Sequence, residues 1–387
     1  MSAQTSTTTS GVGKAIVSRV AQVGVDDITS KDELLSHLLG EVQQLGRKAM
    51  VLPHDGSNEI WDKEEVEQAA ANLEGPEVMV ENAGNKKPVI AENQHKGIQE
   101  AITDLLVRCN LSFAAVPYDR EFHNACCDVA RSKGYAIDAP SLQPFIAGGV
   151  VIATTTYAHL ENKSTQIIIA LYTAFLIYID DVHQNDVEGI YGFNERFVLC
   201  QPQDDPVLES LASLLRELPK HFGRVSSNMM ISSTLNFVTS LILDYETKDM
   251  PASPDAGNYA AFSRVMCGAS ETYAMFVFPT QIPLPVYIQA FPEVMNFLNK
   301  TNDVLSFYKE ELAGETINHI SNMARCRGVS KIEVLRLLCD EVATCHLQSL
   351  NILSPHHEAH AVYSKFSQGY IDFHTSLTRY RLDELFS

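Results

Sequence analysis

The stretch TQIIIALYTAFLIYIDD, Thr165 to Asp181, is apolar around its whole circumference and ends in two adjacent carboxylates. A helix that is hydrophobic on every side belongs inside a bundle, not on its surface. The apolar run Ile167–Ile179 is about seven residues short of the ~20 needed to cross a bilayer, which predicts a buried helix and no membrane span. Its far end is then an electrostatic problem. Asp180 and Asp181 repel each other and sit at the negative end of the helix dipole, so something cationic must meet them. Clustered hard oxygen ligands suit Mg²⁺, which is held by one or two carboxylates together with phosphates and water. The alternative is an exposed Asp pair in a turn. That alternative fits Asp204-Asp205, which follow no apolar helix and precede Pro206 as a helix N-cap would.

Around this stretch the pattern is helical. A second apolar segment, PFIAGGVVIATTTYAHL, precedes it at 144–160. Leu34, Leu35, Leu38, Leu39, Val42 and Leu45 recur at helical spacing. Ser330-Lys331-Ile332-Glu333 has the form of a capping box ahead of another helix. Residues 74–88 and 247–258 carry the Gly and Pro breakers of loops. There is no βαβ rhythm, Gly-rich phosphate loop or internal repeat. The fold class is therefore all-α. Residues 1–13 are small and polar and read as a disordered tail. Residues 14–387 read as one domain, in which 14–90 carry no usable signature.

The composition sets limits. At 387 residues, 45% hydrophobic and 20% charged, the chain has a globular balance. A formal net charge of -19 argues against nucleic acid or an anionic membrane as partner. An anionic substrate would have to meet local cations or metal ions. The eight cysteines form no CxxC pair, which predicts reduced core residues of an intracellular, cytoplasmic protein. No apolar h-region follows the N-terminus, so no secretory leader is expected.

A second oxygen-rich stretch is NFLNKTNDVLSFYKEEL, Asn296 to Leu312. Asn302, Ser306 and Glu310 are spaced i, i+4, i+8 and project from one helix face. An amide, a hydroxyl and a carboxylate in a row offer a further all-oxygen site, with Lys309 beside it. Three polar residues at that spacing also describe a solvated face, but Leu298, Leu305 and Phe307 make this helix mostly apolar. One and two turns before the ligands lie Thr173, Leu176 and Ile177 on the first helix, and Met295, Leu298 and Asn299 on the second. Tyr273, Phe276 and Phe278 could supply π faces, or be ordinary core aromatics. Asn299 either bonds a neighbouring group or holds a water in the pocket.

An Asp pair ending one apolar helix, followed more than a hundred residues later by NDxxSxxxKE, resembles the class I terpene synthases. From about residue 140 onward NDVLSFYKE, RVMCG at 264–268 and TRYRLDELF at 378–386 resemble the fungal trichodiene synthase group, to which longiborneol and brasilane-type synthases are similar. The resemblance implies a single class I helical bundle around an apolar active-site cavity. It implies three Mg²⁺ ions, with Asp180 and the set Asn302, Ser306 and Glu310 as metal ligands. Asp181 would pair with an arginine on closure. Arg264, Lys309, Arg379 and Tyr380 would bind the diphosphate of farnesyl diphosphate. The family's usual acidic residue at the fifth position of the Asp-rich motif is Gln184 here, with Asp186 two residues on. The implied activity is sesquiterpene cyclisation to a hydrocarbon or an alcohol, with release of diphosphate. A homodimer is compatible with this reading. The alternatives are a prenyltransferase, which passes the allylic cation to an external acceptor, and a non-catalytic scaffold. The C-terminal segment bearing Arg379 and Tyr380 is expected to close over the diphosphate and to be mobile without it.

Overall fold

The computed structural model describes residues 90–386, apart from 139–141, 184–186, 252, 254, 257 and 317. The polar tail at 1–13, the helical spacing at 34–45, the loop at 74–88, and Gln184 and Asp186 therefore lie outside the described residues. Among the described residues every regular element is a helix. The bundle opens with α1 (Glu92–Cys109), α2 (Arg120–Ser132), α3 (Gln143–Thr154) and α4 (Lys163–His183). It continues with α5 (Pro206–His221), α6 (Arg224–Thr247), α7 (Tyr259–Cys267) and α8 (Ser270–Val277). Then come α9 (Phe291–Ala313), α10 (His319–Arg327), α11 (Lys331–Leu353) and α12 (His357–Ser376). A 3₁₀ turn at Thr378–Tyr380 leads into a short helix, Leu382–Phe386.

Local chemistry sets several helix ends. Asp205 accepts hydrogen bonds from the Val207 and Leu208 amides, at 2.6 and 3.1 Å, and so caps α5 ahead of Pro206. Ser330 and Glu333 form a reciprocal capping box at the start of α11. Gly314, at φ 73°, ends α9 in the left-handed conformation that favours glycine.

α4 is the core helix that its sequence predicts, though for a different reason. It runs for 21 residues, so by length and composition it would suit a membrane span. Burial decides the matter, because 67% of its apolar window is covered by the rest of the bundle. α2, α3 and α5 pack around it. The approach of α3 is so close that a Cβ on Gly149 would lie 2.0 Å from the Ala170 carbonyl oxygen. At the entry to α4, the buried Gln166 amide donates to the Tyr157 carbonyl at 3.0 Å, beside the Leu160 amide that the same oxygen accepts.

α9 faces α8 and α11 and touches the 3₁₀ turn near the C-terminus. Between the α4 and α9 sides the core is aromatic. Phe276 on α8 lies edge-on to Tyr157 and Tyr172, with ring centroids 6.0 and 5.6 Å away, and against Phe222 at 5.5 Å. Fully burying a side chain of that size contributes about 1.5–3 kcal/mol. All eight cysteines are free; five are buried, and Cys200 is exposed.

Gly149→Ala should lower the urea midpoint, because the new methyl must push one helix backbone off another. Overpacking costs about 1–3 kcal/mol, against at most about 1 kcal/mol gained in helix propensity. Gly97→Ala is the control: its Cβ would meet Ile332 at an ordinary 3.6 Å. That variant should be neutral or slightly more stable. Equal midpoints for the two variants would contradict the tight α3–α4 contact.

Candidate active site

The last turn of α4 carries Asp180, half-buried, and Asp181, exposed. Burial pushes the Asp180 carboxyl above its ordinary range and the neighbouring Asp181 pushes it further, while Arg379 and Lys309 oppose the rise. Loss of solvation also lifts the Asp181 carboxyl, and the same two cations again act against it. The C-terminal turn and α9 thus bring Arg379 and Lys309 into electrostatic reach of the Asp pair.

On α9, Asn302, Ser306 and Glu310 share the face expected from their spacing, with Ser306 buried and the other two partly so. Burial raises the Glu310 carboxyl, and Lys309 and a hydrogen bond from the Ser306 hydroxyl pull it down. Among the described residues no three His, Cys, Asp or Glu side chains gather closely enough to hold a metal by themselves. Asp180, Asn302, Ser306 and Glu310 present oxygen alone. Burial raises the carboxyls of Asp180 and Glu310, a cost that a bound cation would relieve. Such a donor set fits a hard divalent cation whose shell is completed by water or by ligand oxygens.

Arg264, in the last turn of α7, ties this region together. Its Nε donates to Asp303 Oδ1 at 2.7 Å. Its Nη2 donates to the Asn299 carbonyl at 3.1 Å and to Asn302 Oδ1 at 3.3 Å. Burial works against the guanidinium charge, but Asp303 together with Cys267 and Tyr370 more than offsets it, and the pKa is raised. The second oxygen of Asp303 is buried without a hydrogen bond, and His319 Nε2 lies 4.0 Å from it. Asp303 was in plain view beside Asn302 in the sequence. Its role was hidden, because its partner sits 39 residues away.

The Asn302 amide nitrogen lies 3.3 Å from His374 Nε2 and 3.5 Å from the Tyr380 hydroxyl. Tyr380 is buried, with its ring against His374 and Phe373. The tail that carries it is docked: Leu382 and Leu385 are buried, and Phe386 packs on Phe113 at 4.8 Å. The expected mobile segment is thus anchored in this structure by its own apolar side chains. Neither His374 nor Tyr370, whose hydroxyl donates to the Leu298 carbonyl at 3.2 Å, has a sequence signature. Only the packing of α12 on α9 reveals them.

The expected pocket residues divide. The Tyr273 hydroxyl donates to Thr173 Oγ1 at 3.2 Å, linking α8 to α4. Leu176 and Leu298 are buried, and Met295 is partly so. Ile177 turns to α3, where its Cδ1 would lie 2.7 Å from a Cβ on Gly148. Phe276 belongs to the aromatic core, and Phe278 stacks on Tyr287 at 4.2 Å. Asn299 donates to Ser270 Oγ at 3.2 Å. Its Oδ1 lies 2.2 Å from where a Cβ on Gly268 would stand. Its amide therefore has a neighbour to bond, at the break between α7 and α8.

Removing one partner of a buried ion pair costs about 3–5 kcal/mol, because the other charge is left uncompensated. Arg264→Met should destabilise the protein by about that much in chemical denaturation. Arg264→Met combined with Asp303→Leu should recover most of the loss. Strict additivity of the two single changes would show that the pair is not coupled.

The family model described as Trichodiene synthase (TRI5) matches residues 136–387. Alpha-cuprenene synthase COP6 of Coprinopsis cinerea is 41% identical over 75% of this chain and 90% of its own length. Terpene synthase 29 of Postia placenta is 33% identical over 76% of this chain and 85% of its own. The crystal structure of a linalool/nerolidol synthase from Streptomyces clavuligerus superposes with a TM-score of 0.53 at 11% identity, over 68% of this chain and 99% of that one. At that identity the likeness concerns the fold, and it places the helical bundle among those of terpene synthases. Sequence family and fold agree, and the chain belongs to the trichodiene synthase family of terpene synthases.

Proposed function

We propose that this enzyme ionises farnesyl diphosphate with the help of Mg²⁺ and cyclises the resulting allylic cation to a sesquiterpene or sesquiterpene alcohol. The observation that carries the reading is the pairing of two oxygen-donor sets with a ring of cations. Asp180 ends α4, and Asn302, Ser306 and Glu310 line α9. Arg264, Lys309, Arg379 and Tyr380 stand around them. In a chain of net charge -19, that local concentration of cations suits a strongly anionic ligand.

Mg²⁺ held by Asp180 and by the Asn302, Ser306 and Glu310 set would neutralise the diphosphate and polarise its bridging oxygen. The protein's own part is electrostatic and geometric. Arg264, Lys309 and Arg379 supply charge where the leaving group becomes more anionic, and the Tyr380 hydroxyl can donate to it. Asp181 gives Arg379 a counter-charge at the bundle mouth. Below the mouth, Tyr273 would offer a π face to a cation, and Leu176 and Leu298 would keep water away. The C15 length rests on the resemblance to trichodiene synthases.

Purified protein should be incubated with Mg²⁺ and the C10, C15 and C20 prenyl diphosphates, and the volatiles identified by mass spectrometry. Cyclic C15 products are expected from farnesyl diphosphate. No turnover, or products formed only with an added acceptor, would defeat the reading. Asp180→Asn and Glu310→Gln should each lower kcat on the order of 10²–10³-fold, since they weaken charge stabilisation made mainly in the transition state. Melting temperatures should stay close to that of the unaltered protein. A wild-type kcat in either variant would remove that residue from the metal set.

A further inference from the structure

An asparagine can serve a cation only through its amide oxygen, yet the two ends of the amide have almost the same shape. What fixes the orientation of Asn302 is therefore a question in its own right. His374, on α12, is fully buried. Its Nδ1 lies 2.7 Å from the Tyr370 carbonyl oxygen. A carbonyl only accepts, so Nδ1 carries the ring hydrogen. The ring is packed among Tyr370, Phe373 and Tyr380, with centroids 4.7, 5.1 and 4.5 Å away, and Arg264, which can only donate, sits on the Asn302 oxygen, so the amide nitrogen is the end that faces His374. In this neutral tautomer Nε2 has only a lone pair to offer. It faces Asn302 Nδ2 at 3.3 Å. The reversed amide would set oxygen against that lone pair.

We propose that His374 is a positioning residue: it holds the Asn302 amide by its nitrogen and keeps Oδ1 turned towards the cation site. The proposal rests on the reading of Asn302 as a metal ligand. Arg264 also holds this amide, through Oδ1 at 3.3 Å, but a donor on that oxygen competes with any cation there. His374 grips the opposite end and competes with nothing. Tyr380 Oη, 3.5 Å from the same nitrogen, adds a weaker acceptor on that side.

Two measurements test this without relying on turnover. Mg²⁺ is titrated calorimetrically into the full-length protein in the presence of inorganic diphosphate. His374→Phe keeps a ring but removes the acceptor, and should raise the Mg²⁺ half-saturation about 10–100-fold. His374→Gln, which can accept from Asn302 and donate to Tyr370, should recover much of that loss. In an Asn302→Ala background, His374→Phe should cost nothing further. Wild-type uptake in His374→Phe, or losses that add in full to those of Asn302→Ala, would overturn the proposal. If His374→Phe does not fold, His374→Gln and the tautomer decide it: ¹⁵N NMR at neutral pH should show Nδ1–H and a hydrogen-bonded, unprotonated Nε2. An Nε2–H tautomer would sink the positioning role while leaving the proposed function standing. A wild-type protein that takes up no Mg²⁺ with diphosphate would remove both.

Discussion

Arg264 is the fastening on which this site depends. One guanidinium joins the end of α7 to a carboxylate, a carbonyl and an amide oxygen on α9. A buried charge is tolerable only when it is paired and hydrogen-bonded. The fastening also fixes the break between α7 and α8. There Ala269 takes a left-handed φ of 44°, and Gly268 lies close enough to Asn299 to leave no room for a side chain. The same group thus sets the backbone beside Asn299. Anything that draws Arg264 towards a ligand must loosen its hold on Asp303.

The charge pattern has the same logic on a larger scale. The molecule as a whole carries net negative charge, which disfavours contact with polyanions. Positive charge is gathered at the mouth of the bundle, where Arg379 and Lys309 face the aspartates of α4. Below the mouth, hydroxyls are tied up: Tyr273 to Thr173, Tyr172 to Thr234, and Tyr370 to the Leu298 carbonyl. Each such bond lowers the cost of burying a polar group in an apolar core.

Much of this was legible in the residues. The all-round apolar character of α4, the i, i+4, i+8 spacing on α9 and the Ser330 capping box all depend on neighbours within one helix, and local pattern captures them. The membrane argument reached the right helix by the wrong measure, since α4 is long enough to span and only its burial assigns it to the core. Ile177, Phe276 and Asn299 show where helical phase stops being enough. Phase says which face a residue occupies, but not whether that face meets a cavity, α3 or the α7–α8 break. Asp303, His374 and Tyr370 act through partners tens of residues away, and no local pattern encodes such a meeting.

The contact of Gly149 with the Ala170 carbonyl fixes the spacing of α3 and α4 at backbone distance. Where two helices meet backbone to backbone, no side chain remains between them to be lengthened or trimmed. The α3–α4 pair then acts as a fixed datum for the helices packed around it. Variation in side-chain size is left to positions away from that contact, such as Leu176 further along α4 and Tyr273, Met295 and Leu298 on α8 and α9. A lineage exploring new carbon skeletons would be expected to vary those positions and leave the datum alone.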